Sequence, residues 1–132
     1  MKLSDQIQHY ENKLAYEIDS WDLKVALDAG ELLVIVDARS PEAFSNGHIP
    51  GAVNIPHRNM DAEATNRIDR ESLVVTYCDG IGCNASTKAA LRMARLGFKV
   101  KELIGGLDWW IRDGYPVDGN CGENGSGQCG CG

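Results

Sequence analysis

Leu73-Val74-Val75-Thr76-Tyr77, running into Cys78-Asp79-Gly80-Ile81-Gly82-Cys83-Asn84, decides how this chain folds. The first five residues are apolar or β-favouring and show no polar alternation. That pattern predicts a strand covered on both faces, as in the middle of a parallel sheet. Glycines at 80 and 82 then make a tight loop, and Asn84 or Ser86 can cap a helix that runs to Leu96 and stops at Gly97. Lys88, Arg92 and Arg95 share one side of this helix, and Ala90, Met93 and Ala94 share the other. The helix is expected to lie on the sheet with its charges in water.

The same grammar extends in both directions. Upstream, Leu32-Leu33-Val34-Ile35-Val36 reads as a second central strand, and Tyr16 to Ile18 as a first one. Between them Asp19 or Ser20 caps a helix with Leu23, Ala26 and Leu27 inward, ended by Gly30. After the second strand come a turn of helix opened by Pro41, a passage through Val53 and Ile55, and a polar segment from His57 to Arg70 read as surface loop and helix. Downstream, a strand at Phe98 to Leu103 leads through Gly105-Gly106 into a helix with Trp109 and Trp110, and Gly114-Tyr115-Pro116 closes the regular structure. Strands alternating with helices give an α/β fold. Three segments follow. Residues 1–15 form an N-terminal helical extension whose Leu3, Ile7, Tyr10 and Leu14, behind a Ser4 cap, are expected to pack. Residues 16–117 form the main domain, and residues 118–132 form a Gly- and Cys-rich flexible tail.

Composition narrows the class. The 132 residues are 43% hydrophobic and 24% charged, enough for one domain with a real core. Thirteen Lys and Arg against nineteen Asp and Glu leave a net charge of −6, which argues against a nucleic-acid partner. No apolar run is long enough to span a bilayer, and the opening residues lack a secretory core, so a cytoplasmic protein with reduced thiols and no membrane partner is expected.

Cys78 carries the chemistry. Open parallel sheets place ligands beyond the carboxyl ends of their strands, and Cys78 stands at such an end. The helix that follows directs its free N–H groups and positive dipole end at the loop, which lowers the pKa of a thiol placed there. Gly80 and Gly82 let backbone amides close around the sulfur, so Cys78 is expected to be a reactive thiolate.

Three further motifs carry a resemblance. Val36-Asp37-Ala38-Arg39 with Pro41-Glu42-Ala43-Phe44 and Gly47-His48-Ile49-Pro50-Gly51-Ala52-Val53-Asn54-Ile55-Pro56 comes first, Tyr77-Cys78 with its loop second, and Gly105-Gly106 with Trp110 and Gly114-Tyr115-Pro116-Val117 third. In this order, over residues 17–117, they resemble the rhodanese-like domains. The resemblance implies a parallel five-stranded sheet flanked by helices on both faces, and a sulfurtransferase in which Cys78 takes a sulfane sulfur as a persulfide and hands it to a thiophilic acceptor. The residues Asp79, Gly80, Ile81, Gly82, Cys83 and Asn84 would cradle that sulfur. The implied partners are a small sulfur donor and a thiol, cyanide-like or protein acceptor, with no cofactor and no metal. A thiolate attacking the outer sulfur of such a donor and expelling the better leaving group fits this reading.

The loop is longer than in the family's thiosulfate enzymes and ends in Cys83-Asn84 rather than near an Arg or Lys, which weakens thiosulfate as the donor. A long cradle is also similar to that of phosphatases and arsenate reductases, but those grip an oxyanion with Arg, and Asp79 adds negative charge instead. The other function class kept open is a non-catalytic or redox-sensing binding module that uses the same loop.

Asp37 and Arg39 are expected to pair or cap backbone, His48 to hold a turn, Trp110 to pack and Trp109 to stand exposed. Arg58, Arg67 and Arg70 are read as solvated residues that can add positive potential. The spacing of Cys78, Cys83, Cys121, Cys129 and Cys131 offers no pair of zinc knuckles. A tail cysteine can reach the site, since fourteen or so extended residues span roughly 45 Å. Cys83 is a candidate resolving thiol for Cys78, because only four residues separate them on a glycine-containing loop.

Overall fold

The two apolar runs pair in parallel register, Leu33 beside Leu73 and Asp37 beside Tyr77, so both strands end at the same level. This is seen in a computed structural model of the chain, which describes residues 1–120. In chain order the elements are α1 (Leu3–Tyr16), β1 (Glu17–Ile18), α2 (Ser20–Asp28), β2 (Leu33–Asp37), α3 (Pro41–Asn46), β3 (Val53–Asn54), a 3-10 turn at His57–Asn59, β4 (Leu73–Tyr77), α4 (Ala85–Arg95), β5 (Lys99–Leu103) and α5 (Gly106–Arg112). The sheet order is β1-β5-β4-β2-β3 with every pair parallel. Putting β4 in the centre buries its end beneath helices from both sides.

Period-two alternation divides the core into two layers. Ile35, Val75, Tyr77 and Leu103 point to the face that carries Leu23 of α2 and Leu107 and Trp110 of α5. Val36 and Val74 point to the opposite face, where Ala89 and Met93 of α4 meet Met60 and Phe98. The uniform apolarity of β2 and β4 is thus explained by helices on both sides. The expected strands and helices are present to within a residue or so at most ends, except that the segment from His57 to Arg70 holds a 3-10 turn and a series of turns in place of the expected helix and buries Met60 and Thr65.

Three further details differ from expectation. On α4 the inward residues are Ser86, Ala89 and Met93, while Ala94 is exposed, because the helix presents its i, i+3, i+7 row to the sheet. Ser4 does not cap α1; the helix begins behind Lys2 without a side-chain cap and buries no residue. Its apolar side is open, from 56% exposure at Tyr10 to 78% at Leu14, because among the described residues the helix packs chiefly against the short edge strand β1 and its neighbour β5. Finally, Asp118 is part of the fold rather than the tail. Its backbone exchanges two 2.9 Å hydrogen bonds with His48, and Gly119 lies against the Ser45 carbonyl. The remainder of the expected tail, with Cys121, Cys129 and Cys131, lies outside the described residues. Among those described, no helix is long and apolar enough to cross a membrane.

Candidate active site

Cys78 follows β4 directly and is 2% exposed. The backbone at this point is fastened from two directions. From β2, Ala38 N–H donates to the Tyr77 carbonyl at 2.9 Å. From α5, the N–H groups of Leu107 and Asp108 donate to the carbonyls of Cys78 and Asp79 at 2.9 and 2.8 Å. So close an approach requires Gly106. A Cβ there would lie 2.3 Å from the Cys78 carbonyl oxygen, and its φ of +56° is itself unfavourable to other residues. The Gly105-Gly106 pair therefore serves the site as well as the turn.

The loop then folds back through a turn closed by Cys83 N–H on the Gly80 carbonyl at 3.1 Å, with Gly82 at φ +94° in the position that demands a glycine. Ile81 sits at its tip, 83% exposed. The consequence for the sulfur differs from expectation. Cys78 Sγ meets not a ring of amides but the carbonyl oxygen of Cys83, to which the thiol donates at 3.2 Å, and the Ser86 hydroxyl at 3.4 Å. Burial pushes the Cys78 thiol up, and the Cys83 thiol beside it adds to the rise, while contacts with the Ser86 hydroxyl and backbone N–H pull it down. The helix start does favour the thiolate, as the sequence suggested, but desolvation outweighs it. Burial therefore favours the thiol of Cys78 over the expected thiolate. Asn84 occupies the N-cap position of α4 and makes no side-chain cap bond.

Asp37 and Arg39 form the floor beside the loop. Arg39 forks onto the fully buried Asp37, with Nη2 2.7 Å from Oδ2 and Nε 3.0 Å from Oδ1, and donates also to the Gly47 carbonyl. Its Nη1 reaches Asp79 Oδ1 at 3.1 Å. The negative charge of Asp79 is therefore answered from below. Asn54 donates to the carbonyls of Asp37 and Arg39, which fixes the turn after β2. His48 has the structural role expected of it: Nδ1 lies 2.8 Å from the Phe44 carbonyl and the ring stacks on Phe44. Trp110 is buried and donates to the Pro116 carbonyl at 2.8 Å, while Trp109 is largely exposed.

An open cleft of about 470 Å³ fronts the loop, lined by Arg39, Pro41, His57, Arg58, Asp79 and Cys83 among others. Its His57 is held below the ordinary imidazole range by burial and by the charges of Lys88, Arg58 and Arg92. Positive charge from Lys88, Arg58 and Arg92 is thus felt at His57, on the rim of this cleft, although the chain as a whole is acidic. Of the arginines singled out, Arg58 faces the cleft, Arg70 covers Phe98 and donates to the Leu96 carbonyl, and Arg67 is exposed. A larger cleft of about 630 Å³ lies at the opposite ends of β2 and β4, bordered by Leu33, Leu73 and α1, away from Cys78.

Sequence reasoning missed Ser86 as a sulfur partner and missed Glu102 entirely. Ser86 is buried and donates to Glu102 Oε2 at 2.7 Å, and Thr87 donates to the same oxygen at 2.6 Å. The available signal was a glutamate inside a strand that must lie next to β4, where it stands in register with Thr76.

With this geometry in hand, comparison with known proteins is informative. The sequence profile of the rhodanese-like domain matches residues 21–113. Thiosulfate sulfurtransferase GlpE of Pseudomonas aeruginosa is 36% identical over 91 residues, which cover 67% of this chain and 78% of that protein. HTH-type transcriptional regulator Rv0324 of Mycobacterium tuberculosis is 39% identical over 92 residues, 69% of this chain, but the chain spans only 39% of that regulator. Among solved structures, the BH2092 protein of Bacillus halodurans superposes with a TM-score of 0.84 at 41% identity, over 89% of this chain and 87% of that one.

Proposed function

This chain belongs to the rhodanese-like domain family, and from that premise we propose that it is a sulfurtransferase that carries a sulfane sulfur as a persulfide on Cys78. The observation that supports this most is the placement of one buried thiol at the end of the central strand, under the first turn of α4 and behind an open cleft. In the forward step the Cys78 thiolate attacks the outer sulfur of a donor R–S–SH. The S–S bond breaks, R–S⁻ leaves, and Cys78 becomes Cys–S–SH. An acceptor thiolate then attacks the terminal sulfur, forms its own persulfide and returns Cys78 as thiolate. With cyanide the product is thiocyanate.

The loop from Asp79 to Asn84 would hold the outer sulfur. Because Cys83 directs a carbonyl at Sγ in the resting thiol, an anionic persulfide requires that loop to turn N–H groups inward, a change that Gly80 and Gly82 make easy. The positive charge of Arg58, Lys88 and Arg92 that acts at His57 favours anionic donors and acceptors in the cleft. The chemistry needs no cofactor.

The test is intact-mass measurement after exposure to thiosulfate, to a low-molecular-weight persulfide and to a polysulfide, on the wild-type chain and on Cys78→Ser. Gain of one sulfur by the wild type, its loss on addition of a thiol, and no gain by Cys78→Ser are expected. A Cys78→Ser chain that gains and transfers sulfur at the wild-type rate would falsify the assignment.

A further inference from the structure

Buried Cys78 has to lose a proton before it can attack, and among the described residues its S–H meets only the Cys83 carbonyl and the Ser86 hydroxyl as acceptors. Ser86 Oγ is 3.4 Å from Cys78 Sγ and is itself only 3% exposed. Its own proton is directed elsewhere, to Glu102 Oε2 at 2.7 Å, so the lone pair of Ser86 is free to receive the thiol proton. Thr87 donates to the same carboxylate oxygen at 2.6 Å and fixes its orientation. Thr76 donates to the Ser86 carbonyl at 3.0 Å and ties that residue to β4. Nucleophile, intermediary and carboxylate thus stand in one line, with the last member oriented by a further group, which is the general pattern of an activated nucleophile.

The end of the line is open to water. Glu102 borders a cleft of about 380 Å³ under α1, lined also by His9, Lys13, Tyr16 and Glu17. This is not the cleft that fronts the loop, which is lined by Arg39, Arg58, Asp79 and Cys83. Protons and sulfur compounds would use different doors.

We propose that Ser86 and Glu102 form a proton relay that activates Cys78. The S–H turns from the Cys83 carbonyl, its other acceptor, to Ser86 Oγ; the S–H bond breaks as its proton passes to Ser86 Oγ, and the former Ser86 proton passes to Glu102 Oε2. The products are a Cys78 thiolate, a Ser86 hydroxyl now directed at Sγ, and a neutral Glu102 that exchanges its proton with water in the α1 cleft. Ser86 touches the reacting atom. Glu102 acts through it and is a positioning residue.

Charged and titratable groups packed around the line are accounted for. Cys83 faces Cys78 from the loop, and Asp79 is bound by Arg39. Asp108 of α5 lies against Gly80 and pairs with Arg112. Beside Glu102 on β1 is Glu17, whose charge is answered by Lys13 at 2.9 Å, and His9 and Tyr16 face the same cleft. None of these reaches Sγ as a base.

The relay takes its purpose from the sulfurtransferase reading, but its test does not depend on it. Alkylation of Cys78 by iodoacetamide, followed by peptide mapping from about pH 5.5 to 9.5, reads thiol activation with no sulfur donor present. Glu102→Gln and Ser86→Ala are each expected to slow alkylation at neutral pH by about tenfold or more, as loss of a general base does. The difference from wild type should narrow as pH rises toward about 9.5, where hydroxide ionises the thiol without the relay. The double variant should be no slower than either single one, and Glu102→Asp should restore part of the rate. Unchanged or faster alkylation in Glu102→Gln, or additive losses in the double variant, overturns the relay. Should Glu102→Gln fail to fold, Ser86→Ala decides by the same criteria. A wild type that shows the relay profile yet never forms a persulfide keeps the relay and ends the sulfurtransferase reading.

Discussion

Arg39 and Asp79 join the ends of the two central strands: Nη1 of Arg39, held at the close of β2 by Asp37, lies 3.1 Å from Oδ1 of Asp79, the first residue of the loop after β4. The two contacts of this one guanidinium differ in kind. Asp37 is fully buried, whereas the Asp79 side chain is 37% exposed.

Their loss should differ accordingly. Arg39→Ala leaves a buried carboxylate without its partner and is expected to destabilise the fold by about 3–5 kcal/mol. Asp79→Asn breaks only a half-exposed pair and should cost about 1 kcal/mol or less. Urea unfolding of both variants checks this; equal losses would mean that the Asp79 contact matters as much to the fold as the Asp37 fork.

The same commitment of Arg39 separates this site from oxyanion enzymes. Its donors are taken by Asp37, Asp79 and Gly47, so no arginine fork is free in the loop to hold a phosphate or arsenate. Aryl-phosphate hydrolysis and arsenate reduction dependent on Cys78 should be absent. Asp79→Arg, which removes a negative charge from the cleft and adds a positive one, should tighten thiosulfate binding, measured as a lower KM for that donor.

Gly106→Ala probes how α5 holds the loop. The added Cβ meets the Cys78 and Gly80 backbone at 2.3 and 2.9 Å, and the backbone conformation is left-handed. Neither neighbour is a flexible side-chain end, so α5 must move, at a cost of roughly 1–3 kcal/mol or more. The variant should lose melting temperature and also alkylate Cys78 at an altered rate, because the carbonyls of Cys78 and Asp79 lose their donors. Gly114→Ala, with nothing near its Cβ, is the control for a positive-φ glycine away from the site.

The fold was legible because its signals were local. Uniform apolarity in β2 and β4, Asp19 as a cap that accepts from Asp22 N–H, Pro41 at a helix start and glycines at turns each act within a few residues. The position of Cys78 was legible for the same reason. What surrounds its sulfur was not. The Cys83 carbonyl reaches Sγ only because the Gly80–Cys83 turn closes, and Glu102 reaches Ser86 only because β5 lies beside β4 in a particular register. Helix-end electrostatics alone suggested a thiolate, and desolvation, a property of the packed molecule, reversed the direction. The apolar row of α1 shows the converse error, since spacing reveals a stripe and not whether anything covers it.

The raised Cys78 thiol has a consequence for stability. The folded chain binds that proton more tightly than the unfolded chain does, so the contribution is complete below the ordinary thiol range and is lost as pH rises through the folded value. Cys78→Ala removes it. Wild type should therefore lose stability faster than Cys78→Ala between about pH 8 and 10, where ordinary thiols titrate. Buried Tyr77, also pushed up, adds an alkaline loss common to both chains. Parallel stability curves would show that the thiol is not raised in solution.

Cys83 is expected to act as a resolving thiol for Cys78. The turn that brings its carbonyl to 3.2 Å from Cys78 Sγ also brings the two thiols to face each other, close enough for one to influence the ionisation of the other. Both are free thiols in the resting chain. A disulfide requires Cα atoms within about 7 Å, which a single closed turn between residues 80 and 83 favours. Two steps then become available. Peroxide oxidises Cys78 to a sulfenic acid; Cys83 attacks its sulfur, water leaves, and the disulfide forms. Alternatively the Cys83 thiolate attacks the inner sulfur of a Cys78 persulfide, hydrosulfide leaves, and the same disulfide results. Either way an external thiol must reduce the bond before another sulfur can be carried. After mild peroxide treatment, peptide mapping should find a linked Cys78–Cys83 peptide that disappears in Cys83→Ser, and the persulfide of Cys83→Ser should outlive that of the wild type while releasing less sulfide. A stable sulfenic or sulfinic acid on Cys78 with Cys83 still reduced would exclude the resolving role and leave Cys83 as the residue whose carbonyl keeps the resting thiol in place.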